Sequence, residues 1–154
     1  MKHNGLIKAA AAAAAALLLA ASSLAGCGKT KTPAAVNYAD GTYTGRSSDF
    51  QADESGNGAG YGEVELTISG NRVVACTFAL YELDGTKKDE TYGAGLSQEN
   101  RLKAQKAVQA ADKYAQSLAE QGSLEGVDAI SGATISHSEF IEAVNDALSK
   151  AAAN

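Results

Sequence analysis

From Tyr61 to Ile68 the chain alternates, with Val64, Leu66 and Ile68 on one side and Glu63, Glu65 and Thr67 on the other. Successive side chains of an extended backbone point to opposite faces, so this period of two predicts a strand with one buried and one wet face. Ser69-Gly70-Asn71 supplies a tight turn, and residues 72–83 return as a β-branched and aromatic run in which Val74, Cys76, Phe78 and Leu80 share a face. The pair predicts an antiparallel hairpin. An earlier strand signal begins at Gly41-Thr42-Tyr43-Thr44-Gly45, and a glycine-rich polar connection with Asp53, Glu54, Gly56, Asn57 and Gly58 joins it to the hairpin. That connection, residues 47–60, reads as a mobile surface loop.

A hairpin with one apolar face must be covered, and the second half of the chain supplies the cover. Ser97 is placed to cap a helix whose stripe carries Ala104, Ala107, Val108, Ala111, Ala115 and Leu118 and which stops before Gly122; spacings of three and four put these residues on one side. A short apolar piece, residues 127–130, leads through Ser131-Gly132-Ala133-Thr134 to a last helix predicted to start near Ser136. There Ser136 and Glu139 form a capping-box pattern, with Phe140, Ile141, Val144, Ala147 and Leu148 on the buried side. Strands first and helices later predict an α+β domain: an antiparallel sheet of β-hairpins with two main helices packed on one side.

The first 26 residues are read as an export signal, outside the fold. Lys2 and Lys8 precede an apolar run through eight alanines and Leu17, Leu18 and Leu19, and Leu24-Ala25-Gly26-Cys27 has the pattern of a bacterial lipobox. The run is short for a membrane span and suits a cleaved signal, with a diacylglycerol taken by the Cys27 thiol. The predicted organisation is a lipoprotein signal over 1–26, a lipidated tether over 27–39, and one domain over 40–154. The localisation that follows is the extracytoplasmic face of the cell membrane, through a lipid anchor. Without Lys2 and Lys8, 11 basic side chains face 18 acidic ones, a charge of about -7, which disfavours nucleic acid as a partner. With Cys27 lipidated, Cys76 has no cysteine to pair with, so packing must hold the fold.

Chemistry concentrates at Thr134, between a small Ser-Gly-Ala turn and a helix start. The orphan amides and positive dipole end of such a start stabilise an anion, so a phosphate esterified to this hydroxyl would sit in a favourable field. Asp128-Ala129-Ile130-Ser131-Gly132-Ala133-Thr134 resembles the recognition sequence of FAD:protein FMN transferase: Asp, two variable residues, Ser or Thr, Gly, Ala, Thr or Ser. Around it, residues 38–148 resemble FMN-binding domains of the peripheral subunits of sodium-pumping NADH:quinone oxidoreductase and Rnf complexes. The nearest likeness is to small lipoprotein members that pair an opening like Asp40-Gly41-Thr42-Tyr43-Thr44-Gly45 with the flavinylation segment. The resemblance implies covalent FMN, a phosphoester on Thr134, with Asp128 and Ser131 as recognition residues and Gly132 and Ala133 completing the site. The segment Glu90-Thr91-Tyr92-Gly93-Ala94-Gly95 is similar to a Glu-Thr-Pro-Gly-x-Gly stretch near the flavin in the complex subunits. Tyr92 stands where proline is expected there, and Tyr92 and Gly93 are carried over as candidate cofactor contacts.

The function this implies is a membrane-anchored flavoprotein that relays electrons between membrane or surface redox partners, after modification by the transferase. Two alternatives stay open: a flavin-dependent reductase acting directly on an acceptor, and a binding or structural lipoprotein without flavin. Neither a catalytic pair nor a metal-ligand spacing is assigned. His137 reads as a solvated histidine rather than a phosphate ligand, Cys76 as a small core residue, and Asp49, Asp53 and Glu54 as a solvated acidic loop. Tyr92 and Tyr61 are the preferred candidates for a ring stacked on the flavin.

Overall fold

The computed structural model describes residues 36–153; the predicted signal, the lipobox with Cys27 and most of the tether lie outside them. Three strands form one antiparallel sheet in the order β1 (Gly41–Arg46), β2 (Tyr61–Ser69), β3 (Arg72–Tyr81). Helix α1 (Gln98–Gln121) lies chiefly against β3, and α2 (Thr134–Ala151) against β1 and β2. A single 3-10 turn, Leu124–Gly126, joins the helices. The α+β architecture read from the sequence is therefore the one observed.

The hairpin turns through Gly70 and Asn71, both left-handed at φ 57° and 64°. Two consecutive left-handed residues give the turn a twist that matches the flanking strands. Asp40 accepts the Gly70 amide at 2.9 Å, and the Asn71 side-chain oxygen accepts the Tyr38 amide at 2.6 Å. The end of the predicted tether is thus docked rather than free: Ala39 donates to the Ala151 carbonyl at 2.8 Å, and Tyr38 bridges Ala152.

One alternation read from sequence is displaced. The register shifts between Thr67 and Ile68, so that Ile68 pairs with Val73 while Thr67 pairs with Ala75. Val74 is the extra residue, which a bulge leaves unpaired and turned to the other side. Val73 is buried, and Val74 is 51% exposed; Phe78 and Leu80 keep the predicted inward face.

The inward face of the sheet presents Val64, Leu66, Ile68, Val73, Phe78 and Leu80 to Ala111, Tyr114, Ala115 and Leu118 of α1 and Phe140, Ala143, Val144 and Ala147 of α2. Ile141 and Leu148 lie only partly buried at its margin. Phe140 is the hub: its ring meets Phe78 edge-on at 5.0 Å and Tyr114 in a stacked pair at 5.6 Å. Such pairs each add about 1 kcal/mol beyond the area they bury. Alanines on α2 bring the helix close to β1. A methyl group on Gly45 would collide with the Ala143 carbonyl and with Ala147, so the glycine is what permits that approach.

α1 begins and ends as its sequence predicts. The Ser97 hydroxyl accepts the Asn100 amide, and Gly122 closes the helix at φ 74° with its amide on the Leu118 carbonyl. α2 does not. It starts at Thr134 with Ala133 in the cap position, and no side chain caps it. Ser136 and Glu139, read as a capping box, lie inside the helix, in its first and second turns, and are buried.

The loop over 47–60 is also pinned rather than loose. Phe50 and Gly60 exchange backbone hydrogen bonds at 2.7 and 2.9 Å, and the Asp53 carboxylate gathers the amides of Ser55 and Asn57.

Candidate functional site around Thr134

The segment approaching Thr134 is built as a turn with defined chemistry. Ala133 donates its amide to the Ile130 carbonyl at 2.9 Å, and Gly132 between them has φ 79°. A turn closed in this way with a left-handed third residue is of type II, where glycine is favoured because it lacks a Cβ. A methyl group there would also lie 2.9 Å from Lys106 Nζ. Ala133 is buried, whereas Asp128, Ser131, Gly132 and Thr134 are exposed. The turn therefore anchors one small side chain and delivers the next residue, Thr134, to the surface as the first of α2.

Tyr114 holds this turn at both ends. Its phenol, on a residue only 1% exposed, donates to the Ala133 carbonyl at 3.1 Å and accepts the Ile130 amide at 2.9 Å. His137 adds a second fastening, with Nε2 3.0 Å from the Val127 carbonyl and its ring 5.2 Å from that of Tyr114. This corrects the reading of His137 as a solvated residue: its ring nitrogen is engaged with the chain leading into the turn. Tyr114 was missed in the sequence, although a tyrosine among the alanines of an apolar stripe is a signal that a polar tip must find a partner.

A phosphate fits what is left over. Without a side-chain cap, the first amides of α2 retain their donor capacity, and the helix dipole adds to the attraction for an anion. Lys106, on α1, rests its ammonium against Gly132 and has no hydrogen-bond or ion-pair partner among the described residues. Free helix amides and a cation thus lie at the turn that leads to the exposed Thr134.

A family model described as FMN-binding domain matches residues 58–149. The chain belongs to the FMN-binding domain family. FMN is accordingly its cofactor, and the reading as a lipoprotein without flavin is set aside. The match spans β2, β3 and both helices of this FMN-binding domain. Among solved structures, the CPE2226 protein from Clostridium perfringens is similar, with a TM-score of 0.53 and 19% identity over 74% of this chain and 88% of that one. At that identity the likeness concerns the fold. No curated protein matches the chain.

The second segment of this FMN-binding domain predicted to contact the cofactor lies over the same helix. Gln105 of α1 donates to the Tyr92 carbonyl at 2.7 Å and to that of Asp89 at 3.3 Å. Gly93, left-handed at φ 82°, approaches Ala104 so closely that a Cβ would lie 2.9 Å from the alanine methyl. Residues 89–97 and the turn before Thr134 are therefore both set against the first half of α1, at 104–106. The Tyr92 ring itself is half-buried, with its phenol beside Gly58 and Lys88 Nζ 5.0 Å from its centre. Tyr61 is a poor platform for a flavin. Its ring stacks on Tyr81 at 5.4 Å, and the Arg46 guanidinium covers it at 3.7 Å from the strand on the other side.

Several ionisable groups are shifted here or nearby, among them Glu139, Lys88 and Cys76. Burial pushes the Glu139 carboxyl up to about 7, opposed by the attraction of Lys88 and assisted by repulsion from Glu142. Lys88 is buried too; desolvation lowers its affinity for a proton, while Glu139 and Glu82 act to raise it. Burial also pushes the Cys76 thiol up to about 12. Since the thiolate is the nucleophile, Cys76 is expected to react with iodoacetamide at pH 8 at least tenfold more slowly in the folded domain than in denaturant. Equal rates would show that the thiol is open to solvent.

Proposed function

We propose that this FMN-binding protein carries its flavin covalently, as a phosphoester on Thr134, and relays electrons outside the cytoplasmic membrane, to which lipid on Cys27 holds it. The observation that carries the reading is the exposed Thr134 hydroxyl, delivered by a type II turn to an uncapped helix start. Attachment by FAD:protein FMN transferase joins the Thr134 oxygen to the FMN phosphorus, breaks the pyrophosphate of FAD and releases AMP; the hydroxyl proton is lost. The type II turn leaves Ser131 and Gly132 exposed for the modifying enzyme to grip. The amides of α2 and the Lys106 ammonium then neutralise the phosphodiester.

When bound, FMN supplies the one- and two-electron redox chemistry. The chain supplies position: Tyr114 fixes the attachment turn, and Gln105 fixes the neighbouring segment that carries Tyr92 and Gly93. Relay is favoured over direct reduction of a substrate because the attachment residue is exposed and reachable by large partners. Covalent retention suits an extracytoplasmic site, where a dissociated cofactor would be lost. No helix among the described residues is long and apolar enough to cross a membrane, so anchoring rests on the Leu24-Ala25-Gly26-Cys27 pattern.

Coexpression with the transferase, followed by peptide mass spectrometry, is expected to place an FMN adduct on the peptide containing Thr134. Colourless protein with that peptide unmodified would overturn the proposal.

A further inference from the structure

Glu139 has no structural reason to be an acid. It is 6% exposed, and its Oε1 is buried without any hydrogen-bond partner. None of the three ion pairs among the described residues includes it. A carboxyl in that condition costs stability relative to an apolar side chain of similar size.

Its place in the fold suggests what it does. Glu139 follows Thr134 by five residues on α2, about 7.5 Å along the helix axis. It reaches the sheet where β2 begins: a Cβ on Gly62 would lie 3.2 Å from that of Glu139, and a Cβ on Gly60 would run into Lys88. Two glycines at the edge of a strand leave room for this acid and this lysine. Lys88 lies beyond direct ion-pair distance of Glu139 yet is the first charge to act on it. From the segment after β3, Glu82 acts on Lys88, and Tyr92 lies under the ammonium. From α2 itself Glu142 faces Glu139, with its carboxylate engaged by the Ser48 hydroxyl at 2.5 Å. Towards Glu139, β3 contributes Phe78 and α1, through Phe140, Tyr114; on the side of Lys88 the same groove takes Lys87, Asp89, Glu90 and, from α1, Asp112.

We propose, resting on the reading of Thr134 as the attachment point, that Glu139 is a redox-linked proton site: it takes up a proton when the flavin is reduced and releases it on oxidation. Two electrons arrive from a redox partner, or from dithionite in the laboratory. Two protons accompany them, one to the flavin and one to the Glu139 carboxylate, so that the summed charge of flavin and carboxylate is unchanged. The new negative charge on the reduced flavin makes an ionised Glu139 less favourable. Lys88 keeps the group near neutrality, where it can exchange; burial alone would hold it protonated. Glu139 thereby acts through charge rather than by touching the reacting atoms.

The test uses the natively flavinylated protein, with its mass checked first. With glutamate labelled at the side-chain carbonyl carbon, the Glu139 resonance is titrated in oxidised and in dithionite-reduced protein. Its midpoint is expected to rise on reduction by about one pH unit, the size of effect that a new unit charge has on a neighbouring buried carboxyl. In Glu139→Gln the potential of the flavin is expected to depend less steeply on pH around neutrality. Identical midpoints in the two redox states of flavinylated protein overturn the proposal alone. A mass without FMN overturns the attachment reading, and the redox role of Glu139 with it.

Discussion

Thr134→Val is expected to give a folded, colourless protein, with flavinylation falling below one per cent of wild type, while Thr134→Ser retains the adduct. Valine keeps the size and branching of threonine and removes only the hydroxyl. Thr134 is the exposed first residue of α2, where its side chain makes no hydrogen bond that caps the helix. Stability should therefore change by no more than about 0.5 kcal/mol, and thermal melts of the unmodified proteins should superimpose. Serine restores an acceptor oxygen for the phosphoryl group at the same position. Intact mass after coexpression with the transferase separates the three cases. FMN retained on the valine variant through another residue would remove Thr134 from the proposal.

Tyr114→Phe is expected to produce the largest loss of stability from the removal of a single atom. The phenol oxygen serves one donor and one acceptor of the turn, the Ile130 amide and the Ala133 carbonyl. Phenylalanine keeps the ring packed on Phe140 but leaves both backbone groups without that partner. The Ala133 carbonyl still accepts the His137 amide at 3.0 Å, so the Ile130 amide is the group left unpaired. At about 1–3 kcal/mol for such a group the variant should lose roughly 1–3 kcal/mol, a fall in melting temperature of about 5–10 °C for a domain of this size. The proposed modification should suffer as well, because a loosened turn no longer presents Ser131 to Thr134 in one geometry. Slower flavinylation at a temperature where the variant is fully folded is the expected outcome. An unchanged melting temperature would mean that water replaces the phenol at no cost.

The parts of this fold that were legible in the sequence are those set by local rules. The alternation in β2, the serine cap and glycine stop of α1, and the small turn before Thr134 each follow from neighbours a few residues apart. The errors arose where distant groups decide. Val74 was assigned to the core because a strict period of two admits no bulge, yet the shift at Thr67 and Ile68 hands that place to Val73. The capping box at Ser136 and Glu139 has the correct residue types, but the type II turn, fastened by Tyr114, starts the helix two residues earlier and carries both side chains into the interior. Of the candidate site, the attachment segment could be read from its motif. Lys106 carries no such signal, and Tyr114 signals only that its phenol needs a partner and not which one, since packing of the two helices is what brings both to the turn.

The chain enters the described domain at the far end of α2 from Thr134: Ala39 is bonded to Ala151, and Tyr38 bridges Ala152. Eighteen residues of helix separate the two ends, about 27 Å. On the lipid-anchored reading, the protein is tied down by one pole and carries its cofactor at the other. On that reading the domain would act as a spacer, with Thr134 at the pole away from the one where the chain enters it.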